Sequence, residues 1–248
     1  MRYFFLIKPV GIIIDLVSNN VKVMKKTAFL GLFLITALVS AQTTISKHLG
    51  DFSTLKVYNG IDVELIKSNE QKLEITGEKA EKVKVKNDGV TLKILLRFPE
   101  TTADKKVYVK LYFKDDIQII DANEGATITG KGFKQQKIEV KVQEGAFMNL
   151  VVDIKHLKVK SSSGGVLKLS GVAKNQVVNV DLGGVYHGYN LTASEISIVK
   201  AASGAKAEIQ ASETLDLKVS FGGSIFYKGS PEVLKTKKVI GGIIEQRS

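Results

Sequence analysis

Apolar and polar residues alternate one for one in short runs along most of this chain, and many of the runs end at a pair of very small residues. Ile138-Glu139-Val140-Lys141-Val142, Leu157-Lys158-Val159-Lys160 and Leu215-Asp216-Leu217-Lys218-Val219 show the pattern before such a pair, and period-two alternation marks a strand buried on one side. It resumes afterwards in Val166-Leu167-Lys168-Leu169, Lys206-Ala207-Glu208-Ile209 and Ser224-Ile225-Phe226-Tyr227. The pairs begin at Gly125, Gly145, Gly164, Gly183, Gly204, Gly222 and Gly241, spaced 20, 19, 19, 21, 18 and 19 residues apart, and each glycine is followed by Ala or Gly. Strand, tight bend and strand repeated every ~19 residues predict the coils of a parallel β-solenoid, whose equivalent residues stack at about 4.8 Å.

The small pair has a physical reason. Its glycine supplies a positive φ where a β-carbon would clash, and the second position leaves room for little more than a methyl. Leucine-rich repeats have similar periods, but their Leu-x-x-Leu-x-Leu-x-x-Asn signature is missing. An antiparallel sandwich is the other alternative, and its turns have no reason to repeat one small pair so regularly. Upstream, strands over residues 55–58, 61–66, 73–76, 90–98 and 107–113 keep alternating in a looser rhythm. Gly60 and Gly89 are the corner-like glycines there, and residues 99–105 form an exposed excursion. The expected fold is all-β, a parallel β-helix or solenoid over residues 42–248. Irregular coils over 52–122 act as its cap, and regular coils fill 123–248.

Composition agrees with a globular domain: 248 residues, 44% apolar and 25% charged, with 22 glycines against 3 prolines. Cysteine is absent, which excludes disulfides, thiolate metal sites and cysteine nucleophiles. Met24-Lys25-Lys26, the apolar stretch Ala28 to Leu38 and the small residues Val39-Ser40-Ala41 together predict a signal peptide over 24–41, cleaved before Gln42. The apolar run is too short to span a bilayer, so no integral membrane protein is expected after cleavage. Met24 is then the expected start, and residues 1–23 an over-extended reading frame. Removing residues 1–41 leaves 31 basic and 24 acidic residues, still a basic chain. For an exported protein, periplasmic or at the cell surface, that charge favours acidic glycan or another anionic cell-envelope polymer as partner, and nucleic acid is not expected. The plain alternative is that the lysines are solvated strand faces.

The chain resembles the head GIN domain family, common in Bacteroidetes and described as adhesin heads, over roughly Phe52 to Gln246. The resemblance rests on Phe52-Ser53-Thr54-Leu55-Lys56-Val57 with Gly60-Ile61-Asp62-Val63-Glu64-Leu65, on the glycine corners, and on Phe226-Tyr227-Lys228-Gly229-Ser230-Pro231 with Gly241-Gly242. It implies an exported β-helix-like fold and an adhesin-like role. One departure is that no autotransporter barrel is present, so self-export through an outer membrane is not expected.

No catalytic signature stands out. His48, His156 and His187 lack metal-ligand spacing, and nucleophile-elbow, phosphate-loop and dinucleotide motifs are missing, so no metal or cofactor is expected. Asp115, Asp116 and Asp121 are a carboxylate cluster with too few further oxygens for calcium, and read as a solvated turn. If the residue after each corner glycine faces inward, alternation buries Met148, Leu167, Tyr186, Ala207 and Ile225. It then places Phe147, Lys168, His187, Tyr189, Lys206, Phe226 and Lys228 together on one outward face. Rings stack on apolar sugar faces and ammonium groups meet carboxylate or sulfate, so this face is the candidate ligand surface. A one-residue slip would bury Phe147, Val166, Val185 and Phe226 and erase it. A second face carries Lys141, Lys158, Lys160, Lys218 and Lys237, which discourage edge pairing.

Two function classes follow, with a third beside them. The first is an exported, non-enzymatic binding module. The second is a polysaccharide lyase or hydrolase on a β-helix scaffold, with only Arg97 and Arg247 as arginines after residue 41 to clamp uronates. The third is a structural protein that forms homo-oligomers through its solenoid ends.

Overall fold

The computed structural model describes residues 44–248; the predicted leader at 24–41 and the segment 1–23 lie outside the described residues. Alternation resolves into seventeen strands among the described residues. The first eight are β1 (Ile45–His48), β2 (Thr54–Val57), β3 (Asp62–Lys67), β4 (Lys72–Thr76), β5 (Val83–Asp88), β6 (Thr91–Leu96), β7 (Tyr108–Phe113) and β8 (Ile119–Ala122). Four long strands follow: β9 (Thr127–Val142), β10 (Phe147–Ser161), β11 (Val166–Val180) and β12 (Val185–Ala202). The last five are β13 (Lys206–Gln210), β14 (Thr214–Ser220), β15 (Ser224–Lys228), β16 (Val233–Val239) and β17 (Ile243–Arg247).

The fold is a parallel β-solenoid in which each coil crosses two sheets. After a corner the chain enters a front sheet, ordered β7, β3, the first halves of β9 to β12, then β13, β15 and β17. Before the next corner it returns through a back sheet, ordered β6, β2, β8, the second halves of β9 to β12, then β14 and β16. The uneven corner spacing has a local cause. β12 carries two register shifts against β11, near Tyr189 and near Glu195, and these extra residues stretch its coil to 21.

The cap is built differently from the expected run of parallel coils. β2 and β3 form the second coil; the chain then passes through β4 and β5, lays down β6 and β7 as the first coil beneath it, and returns with β8 and β9 as the third. The outer edge is closed by antiparallel strands, β5 on β6, β4 on β7 and β1 on β4. Gly89 is the tip of the β5–β6 hairpin and not a coil corner.

Each corner uses two left-handed residues in succession. Glu124, Glu144, Ser163, Leu182, Ser203, Phe221 and Ile240 have φ of 45° to 57°, and the glycine after each has φ of 70° to 77°. This is the backbone of a type I′ turn, closed by bonds such as Ala126 N–H to Asn123 O at 3.0 Å and Gly184 N–H to Asp181 O at 2.8 Å. Successive corners are also tied to each other: the N–H of Gly125, Gly145, Gly164 and Gly183 donates to the carbonyls of Glu144, Ser163, Leu182 and Ser203 at 3.0 to 3.2 Å. Asn59-Gly60 is one more corner of this kind, with φ of 60° and 66° and a 2.8 Å bond from Gly60 N–H to Glu124 O. The following small residue faces inward; Ala126, Ala146 and Ala205 are buried there, while at the corners that carry Gly the position is tighter than expected. A β-carbon on Gly223 would lie 2.2 Å from the Ala201 carbonyl oxygen, and one on Gly184 2.5 Å from that of Ser161.

With that residue inward, alternate side chains fill the interior. Leu55, Ile120, Val140, Val159, Val178, Val199 and Leu217 stack in one fully buried column of the back sheet. Size is balanced within coils: the buried Tyr186 ring occupies the space beside Gly188, where a β-carbon would come within 2.7 Å of it. Its hydroxyl donates to Gln176 Oε1 at 3.1 Å, Gln176 Nε2 donates to Ser197 Oγ at 2.9 Å, and Ser197 bonds Ser212. Burial pushes the Tyr186 hydroxyl far above the ordinary phenol range, so it stays a donor. In the last coil the inward register changes character. Leu234, Thr236 and Lys238 stack on Leu215, Leu217 and Val219 and are exposed, so a further coil placed there would have to desolvate the Lys238 ammonium.

Two outcomes follow for stability, read from urea denaturation midpoints. Gly222→Ala meets open space but keeps a left-handed backbone, and is expected to cost about 1–2 kcal/mol. Gly223→Ala drives a methyl into the preceding coil's backbone and is expected to cost more, about 3 kcal/mol; equal losses would show that the inward position is not sterically closed. Tyr186→Phe leaves the buried Gln176 oxygen without its donor and is expected to cost about 1–3 kcal/mol, whereas an unchanged midpoint would mean that the interior chain adds no stability.

Candidate functional site

The front sheet carries all seven residues of the predicted face on its outward side. Pairing sets their stacking: Phe147 lies over Val166, then Val185, Lys206 and Ser224 in one column, and Lys168 over His187, Glu208, Phe226 and Glu245 in the next. Lys228 and Arg247 share a third column, and Tyr189 projects from the first bulge of β12. The residues predicted inward, Met148, Leu167, Tyr186, Ala207 and Ile225, are all fully buried.

Rings and cations interleave on this surface. The Lys168 ammonium lies 5.6 Å from the centre of the Phe147 ring, Lys206 5.8 Å from Phe226, and Lys228 5.2 Å from Tyr189. The Arg247 guanidinium sits over the same Phe226 ring at 4.6 Å. Diagonal neighbours on adjacent strands are close enough for long side chains to make such pairs. Every ring of the predicted face therefore already has a cation beside it.

A carboxylate stands in the middle of the face. Glu208 is paired to His187 Nδ1 and to Lys206 Nζ, each at 2.5 Å. Burial raises the Glu208 carboxyl, but the hydrogen bonds from Lys206 and His187 outweigh it and hold it below the ordinary carboxylate range. Tyr189 is pushed up, first by burial and then by the Glu208 charge. Glu245, next to Phe226, pairs with Arg247 at 3.1 Å, so the site holds cations, rings and two ion-paired carboxylates, both absent from the sequence-based face. Alternation already placed Glu208 outward, but the reading selected rings and cations. Arg247 was missed because only the register of β15 on β17 brings it beside Phe226.

Other candidates are dispersed. His48 and His156 are exposed, Asp115 and Asp116 lie in an exposed turn, and Asp121 is buried in β8 against Lys56 at 3.6 Å. No cluster of three or more metal-ligating side chains occurs among the described residues. On the back sheet, Lys141, Lys160, Asn179, Lys200, Lys218 and Lys237 form one column, with Lys158 in the next. Glu139 lies 3.2 to 3.8 Å from Lys158, Lys160 and Lys141. No helix among the described residues is long and apolar enough to cross a membrane.

Solved structures share this architecture. A putative adhesin from Bacteroides fragilis superposes with a TM-score of 0.75 at 18% identity, covering 84% of this chain and 98% of its own. A putative lipid binding protein from Parabacteroides distasonis gives 0.65 at 15%, covering 85% and 98%. A putative adhesin from Parabacteroides merdae gives 0.61 at 20%, also covering 85% and 98%. At these identities the likeness shows the fold alone. No curated protein matches the chain. One family profile does, over residues 51–231, ending short of the last corner that the sequence resemblance included. With most of its length matched and the parallel solenoid in place, the chain belongs to the family described as "putative auto-transporter adhesin, head GIN domain".

Proposed function

We propose that the protein is an exported, adhesin-like binding module whose front sheet holds an acidic glycan or other anionic polymer of the cell envelope. The observation that carries this is the interleaving of rings and cations, Phe147 with Lys168, Phe226 with Lys206 and Arg247, and Tyr189 with Lys228, on one parallel sheet. From β10 to β17 that sheet has six strands, a span of about 24 Å, enough for several sugar residues. An exposed ring–cation pair is worth only about 0.5–1 kcal/mol, so an arriving polymer displaces it at low cost. The ammonium group then moves to carboxylate or sulfate while the freed ring stacks on the sugar. The adhesin names carried by the family and by two of the solved structures support a binding role. The lipid binding name of a third solved structure also supports a binding role.

Binding to a panel of immobilised acidic and neutral polysaccharides tests the reading. Acidic polymers are expected to bind at low ionic strength and to lose about tenfold or more in affinity at moderate salt. Phe226→Ala is expected to weaken binding about fivefold. Glu208→Gln removes the carboxylate that engages Lys206 and His187, so it is expected to tighten binding. In the wild type, protonation at low pH has the same sign for a sulfated polymer, which keeps its charge: affinity rises as pH falls through the depressed Glu208 value. Failure to bind any acidic polymer overturns the proposal.

A second reading, a polysaccharide-active enzyme, draws on one observation, the outward-facing His187–Glu208–Lys206 cluster. Incubation with acidic glycans, followed by assay for unsaturated products or new reducing ends, decides it. Product formation abolished by His187→Ala supports an enzyme, and no product across the substrates removes it.

A further inference from the structure

The corner ridge changes chemistry along the solenoid axis. Its outermost residues, one per coil, run Asn59, Glu124, Glu144, Ser163, Leu182, Ser203, Phe221 and Ile240. All are left-handed, a backbone that Asn and Asp tolerate and that a β-branched or bulky residue adopts only under strain. Leu182, Phe221 and Ile240 nevertheless occupy it, and their side chains are 61%, 60% and 70% exposed. The fold does not require them: Ser163 and Ser203 make the same corner with the same closing bonds, Gly165 N–H to Ser162 O at 2.8 Å and Ala205 N–H to Ala202 O at 3.0 Å. Three exposed apolar tips held against backbone preference, within a span of about 14 Å, mark a surface kept for contact.

Charge is distributed to match. Of the back-sheet lysine column beside the ridge, Lys141 and Lys160 share Glu139, level with the acidic and serine tips. Lys200, Lys218 and Lys237, level with Ser203, Phe221 and Ile240, have no carboxylate within 4 Å among the described residues. Lys238 is likewise exposed in the last coil, and Ile243 continues the apolar row onto the front sheet at 49% exposure. Unneutralised ammonium groups therefore flank Phe221 and Ile240, Leu182 is level with Asn179 and follows the exposed Asp181, and the carboxylate tips Glu124 and Glu144 lie at the opposite end of the ridge.

We propose that the C-terminal half of the corner ridge docks on an anionic lipid surface, Leu182, Phe221 and Ile240 entering the headgroup–acyl boundary while Lys200, Lys218 and Lys237 meet phosphates. A convex edge one residue wide buries too little area for a stable protein partner, but a fluid lipid layer conforms to it. Aliphatic Leu and Ile tips are also unsuited to stacking on sugars. Cations beside shallow apolar insertions are the combination that holds peripheral proteins on anionic bilayers, and the acidic tips orient the other end away. This surface is separate from the front-sheet site.

Vesicle co-sedimentation tests it, comparing phosphatidylcholine vesicles with and without phosphatidylglycerol at low and high salt. The protein is expected to pellet with the anionic vesicles at low salt and not with the neutral ones. The triple variant Leu182→Asn, Phe221→Asn, Ile240→Asn places a residue that accepts left-handed backbone at each tip, so its unfolding midpoint is not lowered. It is expected to lose at least about tenfold in vesicle affinity while keeping acidic-glycan binding. Lys200→Gln, Lys218→Gln, Lys237→Gln is expected to lose anionic selectivity. The natural chain has no tryptophan, so Phe221→Trp supplies a single reporter whose emission is expected to shift to the blue with anionic vesicles. Equal pelleting with both vesicle types, an Asn variant that binds like the wild type, or unshifted Phe221→Trp emission overturns the proposal.

Discussion

Two consecutive left-handed residues, followed by an inward residue with room for at most a methyl, are the constraint on which the rest of this solenoid depends. The left-handed pair turns the chain within four residues and leaves a carbonyl and an N–H aimed along the axis, where the neighbouring corner takes them up. The closed inward position then sets the phase of the next strand. Once Gly184 or Gly223 lies against the backbone of the coil below, alternation decides every later side chain, Tyr186 in and His187 out, Ile225 in and Phe226 out. Surface chemistry is therefore a consequence of corner sterics, and front-sheet pairing extends it from coil to coil.

That dependence explains what could be read in the sequence. The regular corners were legible because glycine is conspicuous and the left-handed geometry demands it. The residue before it carries half of the same constraint, yet any of Glu, Ser, Leu, Phe and Ile stands there, so the ridge of exposed tips left no sequence signal. Asn59-Gly60 is the same corner in a coil whose neighbours in sequence are not its neighbours in space. A periodicity argument assumes that successive coils follow one another, and the first coil, β6 with β7, is inserted beneath the second after it in the chain. β5 was missed because its outer half is exposed and its alternation fades after Val85.

The seven residues of the front face were legible for the same reason as the corners, since they need only phase. Partners across strands needed register as well, and there the extra residues of β12 intervene. They push Tyr189 out toward Lys228 and shift Lys200 into the lysine column, a position that a strict 19-residue period does not assign to it. Glu208 shows a different limit. Its outward direction was plain, but its place between His187 and Lys206 comes from stacking β13 on β12.

Because each coil touches mainly its neighbours, the exposed side chains can change from coil to coil without changing the fold. The ridge shows this most clearly: carboxylate tips at one end and apolar tips at the other sit on corners built from the same pair of left-handed residues. The lysine column beside it is uniform in position but not in effect, since Glu139 neutralises its lower members and leaves the upper ones free. Front-sheet cations are also largely engaged, by rings or by Glu208 and Glu245, and under the proposed function only a ligand that offers both an anion and an apolar face would displace these pairs. On the two proposals, adjoining surfaces of one repeat would discriminate by different means, the front sheet through exchange of existing pairs and the ridge through side chains with no partner to exchange.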